Sequence, residues 1–256
     1  MSTAIADLVA IVRLLRGPDG CPWDRAQTPE SIRPYLVEET YEVIEAIESG
    51  DDQALCLELG DLLFQIVLLA EMATQRGAFD IDHVARGVHD KMVERHPHVF
   101  DPDHVEEDPG SVGAWEARKA AARGPDSSML DGMPTALPAL VRAHRVGERV
   151  SRVGFDWPDL EGVRCKVEEE MGELDQALAE EDPAAVRAEY GDLLLSVANM
   201  GRFLGIGPEE ALREANARFD ARFRKVEELA QGTDKSLHEL ELTALEALWQ
   251  EAKKRV

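Results

Sequence analysis

The sequence has few cysteines: Cys21, Cys56 and Cys165 are the three in 256 residues. Their number is odd, and no two of them have the Cys-x-x-Cys spacing that is typical of zinc and redox sites. The sequence therefore predicts neither a disulfide framework nor a zinc site. A reducing compartment fits this cysteine usage, and we expect a cytoplasmic protein.

Basic residues are also scarce, because 28 Lys and Arg stand against 51 Asp and Glu, which gives a net charge of −23. Contacts with the phosphates of nucleic acids require clustered Lys and Arg, so we expect no nucleic-acid partner. The same charge disfavours docking on anionic lipid. A negatively charged substrate can bind only if metal ions first neutralise the carboxylates that receive it.

Long apolar runs and glycine-rich phosphate loops are missing as well. The most apolar stretch, 62–70, is interrupted by Gln65 and is far too short for a membrane span, so we expect no membrane partner. The first 15 residues lack the basic start and small-residue cleavage site of a signal peptide. No Walker-type or dinucleotide-binding motif occurs, so phosphate binding must depend on a metal and on side chains.

Helical periodicity runs along the whole chain, without a convincing strand pattern. Capping residues, Gly and Pro predict helices near 3–15, 28–48, 52–76 and 82–95. The following stretch to residue 135 is rich in Pro, Gly, Asp and Ser, with one predicted helix at 111–123. We therefore predict an all-α fold with two helical-bundle domains, 1–110 and 136–256, joined by a linker at 111–135.

Two acidic patterns occur once in each half, in the same order. Glu-Glu-x-x-Glu is followed in both halves by Glu-x-x-Asp-Leu-Leu, and every acidic residue of the first half has its counterpart 131 positions later. Two ordered copies at one constant offset indicate an internal duplication. The first set comprises Glu38, Glu39, Glu42, Glu58 and Asp61, and the second comprises Glu169, Glu170, Glu173, Glu189 and Asp192.

Helical geometry turns these acidic residues into a candidate metal site. At about 100° per residue, the members of Glu-Glu-x-x-Glu share one helix face, and those of Glu-x-x-Asp lie about 60° apart. Glu58 and Asp61 interrupt an otherwise apolar segment, which directs them towards the bundle interior, where unpaired carboxylates are costly. About five converging carboxylates would raise one another's pKa or bind cations. An all-oxygen ligand set suits Mg²⁺, with Mn²⁺ as the second choice.

Two simpler explanations of the acidic residues compete with this one. The acidic patterns can be solvated helix faces, which explains Glu38, Glu39 and Glu42 by themselves but fits Glu58 and Asp61 poorly. A di-iron carboxylate bundle would require Glu-x-x-His, and that tetrad does not occur in the sequence.

At these residues the chain resembles the MazG nucleoside triphosphate pyrophosphohydrolases. In the first half the resemblance is carried by Cys21-Pro22-Trp23-Asp24, Gln27-Thr28, Tyr35-Leu36, Glu38-Glu39-Thr40-Tyr41-Glu42, Leu59-Gly60-Asp61-Leu62-Leu63 and His96-Pro97-His98-Val99-Phe100. In the second half it is carried by Val153-Gly154-Phe155-Asp156-Trp157, the second acidic set, Asn199, and the stretch from Asn216 to Arg222-Phe223. The resemblance covers nearly the whole chain.

The resemblance implies an all-α homodimer of tandem domains that converts a nucleoside triphosphate to the monophosphate and pyrophosphate with Mg²⁺. The C-terminal domain is the one usually credited with this activity. Its implied metal ligands are the second acidic set, and its implied substrate-binding residues are Arg218, Arg222, Trp249 and Lys253. The family often has Lys where this chain has Arg218, which keeps the charge but changes the hydrogen-bond geometry.

The two halves also differ in the cations that a triphosphate requires. Arg218 and Arg222, four residues apart, share a helix face in the second half, whereas the same offset gives Gly87 and Lys91 in the first. We therefore expect the second half to be the catalytic one, with Glu170, Glu173 and Arg222 as catalytic residues. The alternative function is a non-catalytic helical module that binds a nucleotide or a protein partner and regulates it.

Overall fold

A computed structural model describes residues 3–101, 103, 128–231 and 237–256. Its regular elements over these residues are helices, which confirms the predicted all-α fold. The helix predicted at 111–123 lies outside the described residues. Among the described helices, none combines the length and the apolar character that crossing a membrane requires.

The chain divides into two compact units, Met1–Arg118 and Lys119–Val256. The predicted linker at 111–135 includes the point of division, but residues 111–127 are among those that the structure does not describe. The domain bounds 1–110 and 136–256 therefore stay a prediction, and each unit is considered by itself.

The first unit is organised around one long helix. In chain order its described helices are α1 (Thr3–Arg16), α2 (Pro22–Ala26), α3 (Pro29–Ser49), α4 (Asp52–Gln75), α5 (Ile81–Arg95) and α6 (Pro97–Phe100). Helices α1, α3 and α5 all pack against α4. The four longer helices lie within one residue of their predicted bounds. The short helices α2 and α6 were not predicted, because a single turn that begins with Pro has too few residues to show periodicity.

The second unit is organised around a pair of long helices. Its described helices are α7 (Ala139–Ser151), α8 (Leu160–Ala179), α9 (Pro183–Leu204), α10 (Pro208–Ala230) and α11 (Leu242–Ala252), with a 3₁₀ turn at Leu237–Glu239. Helices α8 and α9 pack along each other, and α7 packs against α9. Helix α10 contacts α7 and α11.

The N-caps show that the duplication extends to the structure. Thr28 caps α3 and Asp159 caps α8, each accepting a hydrogen bond from a backbone N–H of the first turn. Asp51 and Asp182 cap α4 and α9, each accepting from two such N–H groups. A cap of this kind stabilises a helix by about 1 kcal/mol and determines where it begins. The 131-residue offset of the acidic residues is therefore also the offset of the helices that carry them.

The interior of the first unit is apolar. Helices α1, α3 and α4 together bury a continuous cluster that comprises Val12, Ile32, Val67, Leu68 and Met72. The residue of α9 that corresponds to Leu68 is Asn199, which is also buried. The two halves thus share a backbone plan but differ in what they place inside it.

Candidate metal centre

Three carboxylates of the second unit converge between α8 and α9. Oxygen atoms of Glu170, Glu173 and Glu189 all lie within 4.8 Å of one another. Glu170 is buried at 5% exposure, Glu189 is half-buried and Glu173 is exposed. Asp192 follows Glu189 by about one turn of α9. These four residues, all predicted metal ligands, form the second-half carboxylate cluster.

The electrostatics of this cluster favour a bound cation. Burial raises the pKa of the Glu189 carboxyl above its ordinary value, and the neighbouring charges of Glu173, Asp192 and Glu170 raise the same pKa further. A raised carboxyl pKa means that the ionised cluster lacks sufficient counter-charge. A divalent cation would supply that charge.

The fifth predicted ligand, Glu169, has a different position. Its carboxylate accepts a hydrogen bond from Lys166 Nζ at 2.6 Å, and Glu169 is not one of the three converging residues. The same Lys166 Nζ lies 2.8 Å from Glu170 Oε1. Its hydrogen bonds to Glu169 and Glu170 raise the pKa of the Lys166 ammonium above its ordinary value. Lys166 is therefore a cation within the cluster.

Sequence reasoning missed Lys166, although its spacing from the acidic residues was a usable signal. Residues three and four positions apart on a helix are neighbours, and Lys166 precedes Glu169 and Glu170 by three and four positions. The corresponding residue of the first half is Tyr35, which cannot supply the charge.

The first unit repeats the arrangement between α3 and α4. Oxygen atoms of Glu39, Glu58 and Asp61 lie within 4.8 Å of one another. Partial burial raises the pKa of Glu42, as do the nearby charges of Glu58, Glu39, Glu38 and Asp61. The amide of Gln65, which is buried, donates a hydrogen bond from Nε2 to Glu39 Oε1 over 3.2 Å. Glu38, the counterpart of Glu169, is exposed and is not among the three converging residues.

Both clusters match the donor preference of a hard divalent cation. Their donors are carboxylate oxygens alone, three of them close enough to share one ion, and the second-half cluster includes a buried residue. Mg²⁺ and Mn²⁺ take such oxygen ligands, and Mg²⁺ usually keeps coordination positions for water and substrate phosphates. The residues present therefore fit either ion.

The predicted substrate-binding residues lie together on α10 and α11. The Trp249 ring lies 5.1 Å from that of Phe219, and Lys253 Nζ lies 5.7 Å from the Trp249 ring. Phe219 in turn stacks with Phe223 of the same helix at 6.1 Å. This contact joins the two helices through aromatic rings and places a cation beside them.

The two arginines of this surface are placed differently. Arg218 is exposed and forms an ion pair with Glu214 at 3.6 Å, whereas Arg222 is half-buried and its Nε has no hydrogen-bond partner in the structure. Among the described residues, no hydrogen bond or ion pair joins Arg218, Arg222 or Lys253 to the second-half carboxylate cluster. In the first unit, Lys91 is an exposed residue of α5, and Gly87 has no side chain to contribute.

Comparisons with known proteins agree on one family. Residues 27–100 match the model of the MazG nucleotide pyrophosphohydrolase domain, and this segment contains the whole first-half cluster. A Thermotoga maritima protein named nucleoside triphosphate pyrophosphohydrolase/pyrophosphatase MazG is 46% identical over 249 residues, which cover 96% of this chain and 94% of the relative.

Two further relatives extend the comparison. An Escherichia coli nucleoside triphosphate pyrophosphohydrolase is 41% identical over 253 residues, covering 97% of this chain and 96% of the relative. An uncharacterised Bacillus subtilis protein, YabN, is 41% identical over 246 residues, which cover 95% of this chain but 50% of that protein. The family resemblance seen in the sequence is thus confirmed.

Proposed function

The chain belongs to the MazG family of nucleoside triphosphate pyrophosphohydrolases, and we propose that its second half performs a Mg²⁺-dependent hydrolysis of nucleoside triphosphates. The observation that carries this proposal is the convergence of Glu170, Glu173 and Glu189 within 4.8 Å. The substrates are the ribo- or deoxyribonucleoside triphosphates, and the products are the monophosphate and pyrophosphate.

The four carboxylates of the second-half cluster would hold the cation, and Mn²⁺ is the alternative ion. When bound, the ion neutralises the triphosphate and lowers the pKa of a water molecule. Glu170 and Glu173 are the proposed proton acceptors for the attacking water. Its oxygen forms a bond to the α-phosphorus while the bond to the bridging oxygen of the β-phosphate breaks, so that the electron pair leaves with pyrophosphate.

Arg218, Arg222 and Lys253 are the proposed contacts for the phosphates, with Trp249 beside the nucleotide. Negative charge develops on the phosphoryl and leaving-group oxygens during the reaction, and fixed cations stabilise it. Arg222 suits this role because its Nε has no partner within the protein. The first half has only Lys91 at these positions, which supports the second half as the catalytic one.

A homodimer is the proposed assembly, and an apolar stripe on α9 supports it. Tyr190, Leu194, Val197 and Leu204 are each at least 42% exposed. Their spacing of four, three and seven residues places them on one face of the helix. Asp192 and Asn199 lie about 180° away from that face. A partner could therefore cover the stripe without blocking the carboxylates.

The proposed function is tested by incubating the purified protein with each nucleoside and deoxynucleoside triphosphate in Mg²⁺, and by separating pyrophosphate from orthophosphate. We expect the monophosphate and pyrophosphate in equal amounts, and no turnover in EDTA. In ¹⁸O-labelled water, the label should enter the monophosphate and not the pyrophosphate, because attack is at the α-phosphorus. Release of orthophosphate would contradict this chemistry, and nucleotide binding without turnover would favour the regulatory module.

A further inference from the structure

The second unit contains a cavity that the proposed chemistry does not use. It has a volume of about 450 Å³ and lies where α7 packs against α9, beside the loop that precedes α8. Most of its wall is apolar or aromatic, formed by Val146, Val150, Phe155, Trp157 and Leu195. Ligand sites in proteins combine such walls with a few placed polar groups.

Three polar side chains complete the wall and hold one another in place. Arg202 Nη2 donates to Asp156 Oδ1 at 2.5 Å, and Arg202 Nε donates to Asn199 Oδ1 at 3.2 Å. A guanidinium only donates hydrogen bonds, so the Asn199 amide must turn its oxygen towards Arg202. Its NH₂ group is therefore left as a donor for the cavity.

The backbone of α7 fixes this amide further. A Cβ atom at Gly147 would lie 1.9 Å from Asn199 Oδ1, so the close approach of the two groups requires glycine. Asn199 itself is only 8% exposed, and its Nδ2 has no hydrogen-bond partner among the described residues. A buried amide donor without a partner is costly unless a ligand satisfies it.

The first half shows what this position is when it serves only packing. At the 131-residue offset, Asn199 corresponds to Leu68, which is 1% exposed and belongs to the apolar cluster of the first unit. Val67 of that cluster corresponds to the smaller Ala198. The second half has thus replaced part of an apolar core by an amide beside a cavity.

The cavity is also in register with the second-half carboxylate cluster. Asn199 follows Asp192 by seven residues, which places it on the same face of α9 and about 10 Å further along the axis. A ribose with its 5′-phosphates can bridge this distance. A nucleotide whose phosphates lie at the carboxylates would then direct its base to the cavity.

We propose that this cavity binds the nucleobase of the substrate and that Asn199 and Asp156 determine which bases are accepted. The inference builds on the proposed function, because it assigns a further part of the same site. Phe155 and Trp157 supply ring faces on which a base can pack. Asn199 Nδ2 donates a hydrogen bond to the base edge, and Asp156 Oδ2, which has no partner among the described residues, accepts one.

The decisive variants exchange residues of α9 for those of the first half. Asn199→Leu introduces the residue found at Leu68, and the control Met200→Leu introduces the one found at Leu69, beside the cavity but outside its wall. Both should fold, because the same residues occur at these places of α4. Inorganic tripolyphosphate is the matched probe, since it has the phosphates of the substrate but no base.

For Asn199→Leu we expect kcat/KM to fall about 10- to 100-fold for nucleoside triphosphates, because a buried hydrogen bond to the base is lost. The inhibition constant of tripolyphosphate should not change, and Met200→Leu should match the wild type in both measurements. Unchanged nucleotide kinetics in Asn199→Leu, or an equal loss of tripolyphosphate binding, would overturn the inference.

A second variant tests the direction of the hydrogen bond. Asn199→Asp keeps the size of the side chain but replaces the donor by an acceptor. Turnover of substrates whose base edge carries a carbonyl at this contact should fall more than turnover of those that carry an amino group. An equal loss for ATP, GTP, CTP and UTP would contradict base recognition by Asn199.

Failure of the proposed function would be distinguishable from failure of this inference. If the wild type hydrolyses no nucleotide, calorimetry with α,β-methylene nucleoside triphosphates decides the question. Weaker binding of these nucleotides to Asn199→Leu, with tripolyphosphate binding unchanged, would still support the base site. Equal nucleotide affinities of wild type and variant would overturn it.

Discussion

Lys166 Nζ lies 2.8 Å from the carboxylate of Glu170, the buried member of the second-half carboxylate cluster. The two residues are four positions apart on α8, so the helix itself brings them together. The first half has Tyr35 in place of this lysine. The protein therefore carries its own cation in one of its two acidic clusters, and this difference has measurable consequences.

Replacing Lys166 by Met should destabilise the metal-free protein by about 1–3 kcal/mol at neutral pH, because Glu170 loses its counter-charge while it stays buried. Mg²⁺ should then raise the unfolding temperature more in Lys166→Met than in the wild type, since the ion restores the missing charge. Lys225→Met is the control, because Lys225 pairs with Glu228 on α10. Equal Mg²⁺ responses of wild type and Lys166→Met would contradict this account.

Replacing Glu173 by Gln should lower kcat/KM at least about 100-fold, because it removes a charged ligand without changing the size of the side chain. Glu42→Gln is the matched variant in the first half and should retain activity within a factor of about 3 if the second half alone is catalytic. Steady-state pyrophosphate release measures both. A large loss in Glu42→Gln would place catalysis in the first half as well.

Glu189 makes the metal-free protein sensitive to pH. Because its folded-state pKa is raised above 4.5, the stability that it contributes is fully present below about pH 4.5 and is lost as the pH rises through the raised pKa. In EDTA at neutral pH, Glu189→Gln should therefore unfold at a higher temperature than the wild type. The difference should vanish on acidification.

With saturating Mg²⁺ at neutral pH, the order of the two unfolding temperatures should reverse, because the wild type gains stability from the ion and Glu189→Gln gains less. Protons also compete with the metal, so activity should fall as the pH approaches the raised carboxyl pKa from above. A wild type that is less stable than Glu189→Gln in Mg²⁺ as well would argue against Glu189 as a ligand.

Removing the Arg222 guanidinium by substitution with Met should raise KM for nucleoside triphosphates about 10- to 100-fold, because a charge-assisted contact with phosphate is lost. Arg224→Met is the control on the same helix, since Arg224 is exposed and lies two residues away on another face. Tripolyphosphate inhibition should weaken in Arg222→Met as well. If both variants behave alike, Arg222 acts only through the overall charge of α10.

Placing a charge in the apolar stripe of α9 by Val197→Glu should weaken self-association. Sedimentation velocity at micromolar concentration should show a wild-type dimer and a larger monomer fraction in the variant, because a buried unpaired charge is costly at an interface. Val153→Glu is the control, since Val153 is 65% exposed and lies outside the stripe. A monomeric wild type would contradict the proposed assembly.

The local part of the structure followed directly from the sequence. Capping residues, Gly and helical periodicity predicted α1, α3, α4 and α5 within one residue, because these signals act between neighbours along the chain. The constant offset also predicted which carboxylates belong together, since a hairpin of two helices needs little more than its register. It could not distinguish Glu169 from Glu170, because both occupy nearly the same helix face and only the neighbouring helix decides which one is buried.

The sequence by itself determined the all-α class, the duplication, the acidic clusters and the family. Tertiary structure alone decided that Glu170 is buried and pairs with Lys166, and that Asn199 lies beside a cavity where Leu68 lies in an apolar core. The physical reason is that helix formation depends on interactions within a few residues, whereas burial depends on which distant helix packs against each face. The Asn199 contact with Gly147 joins residues 52 positions apart, and no local pattern encodes it.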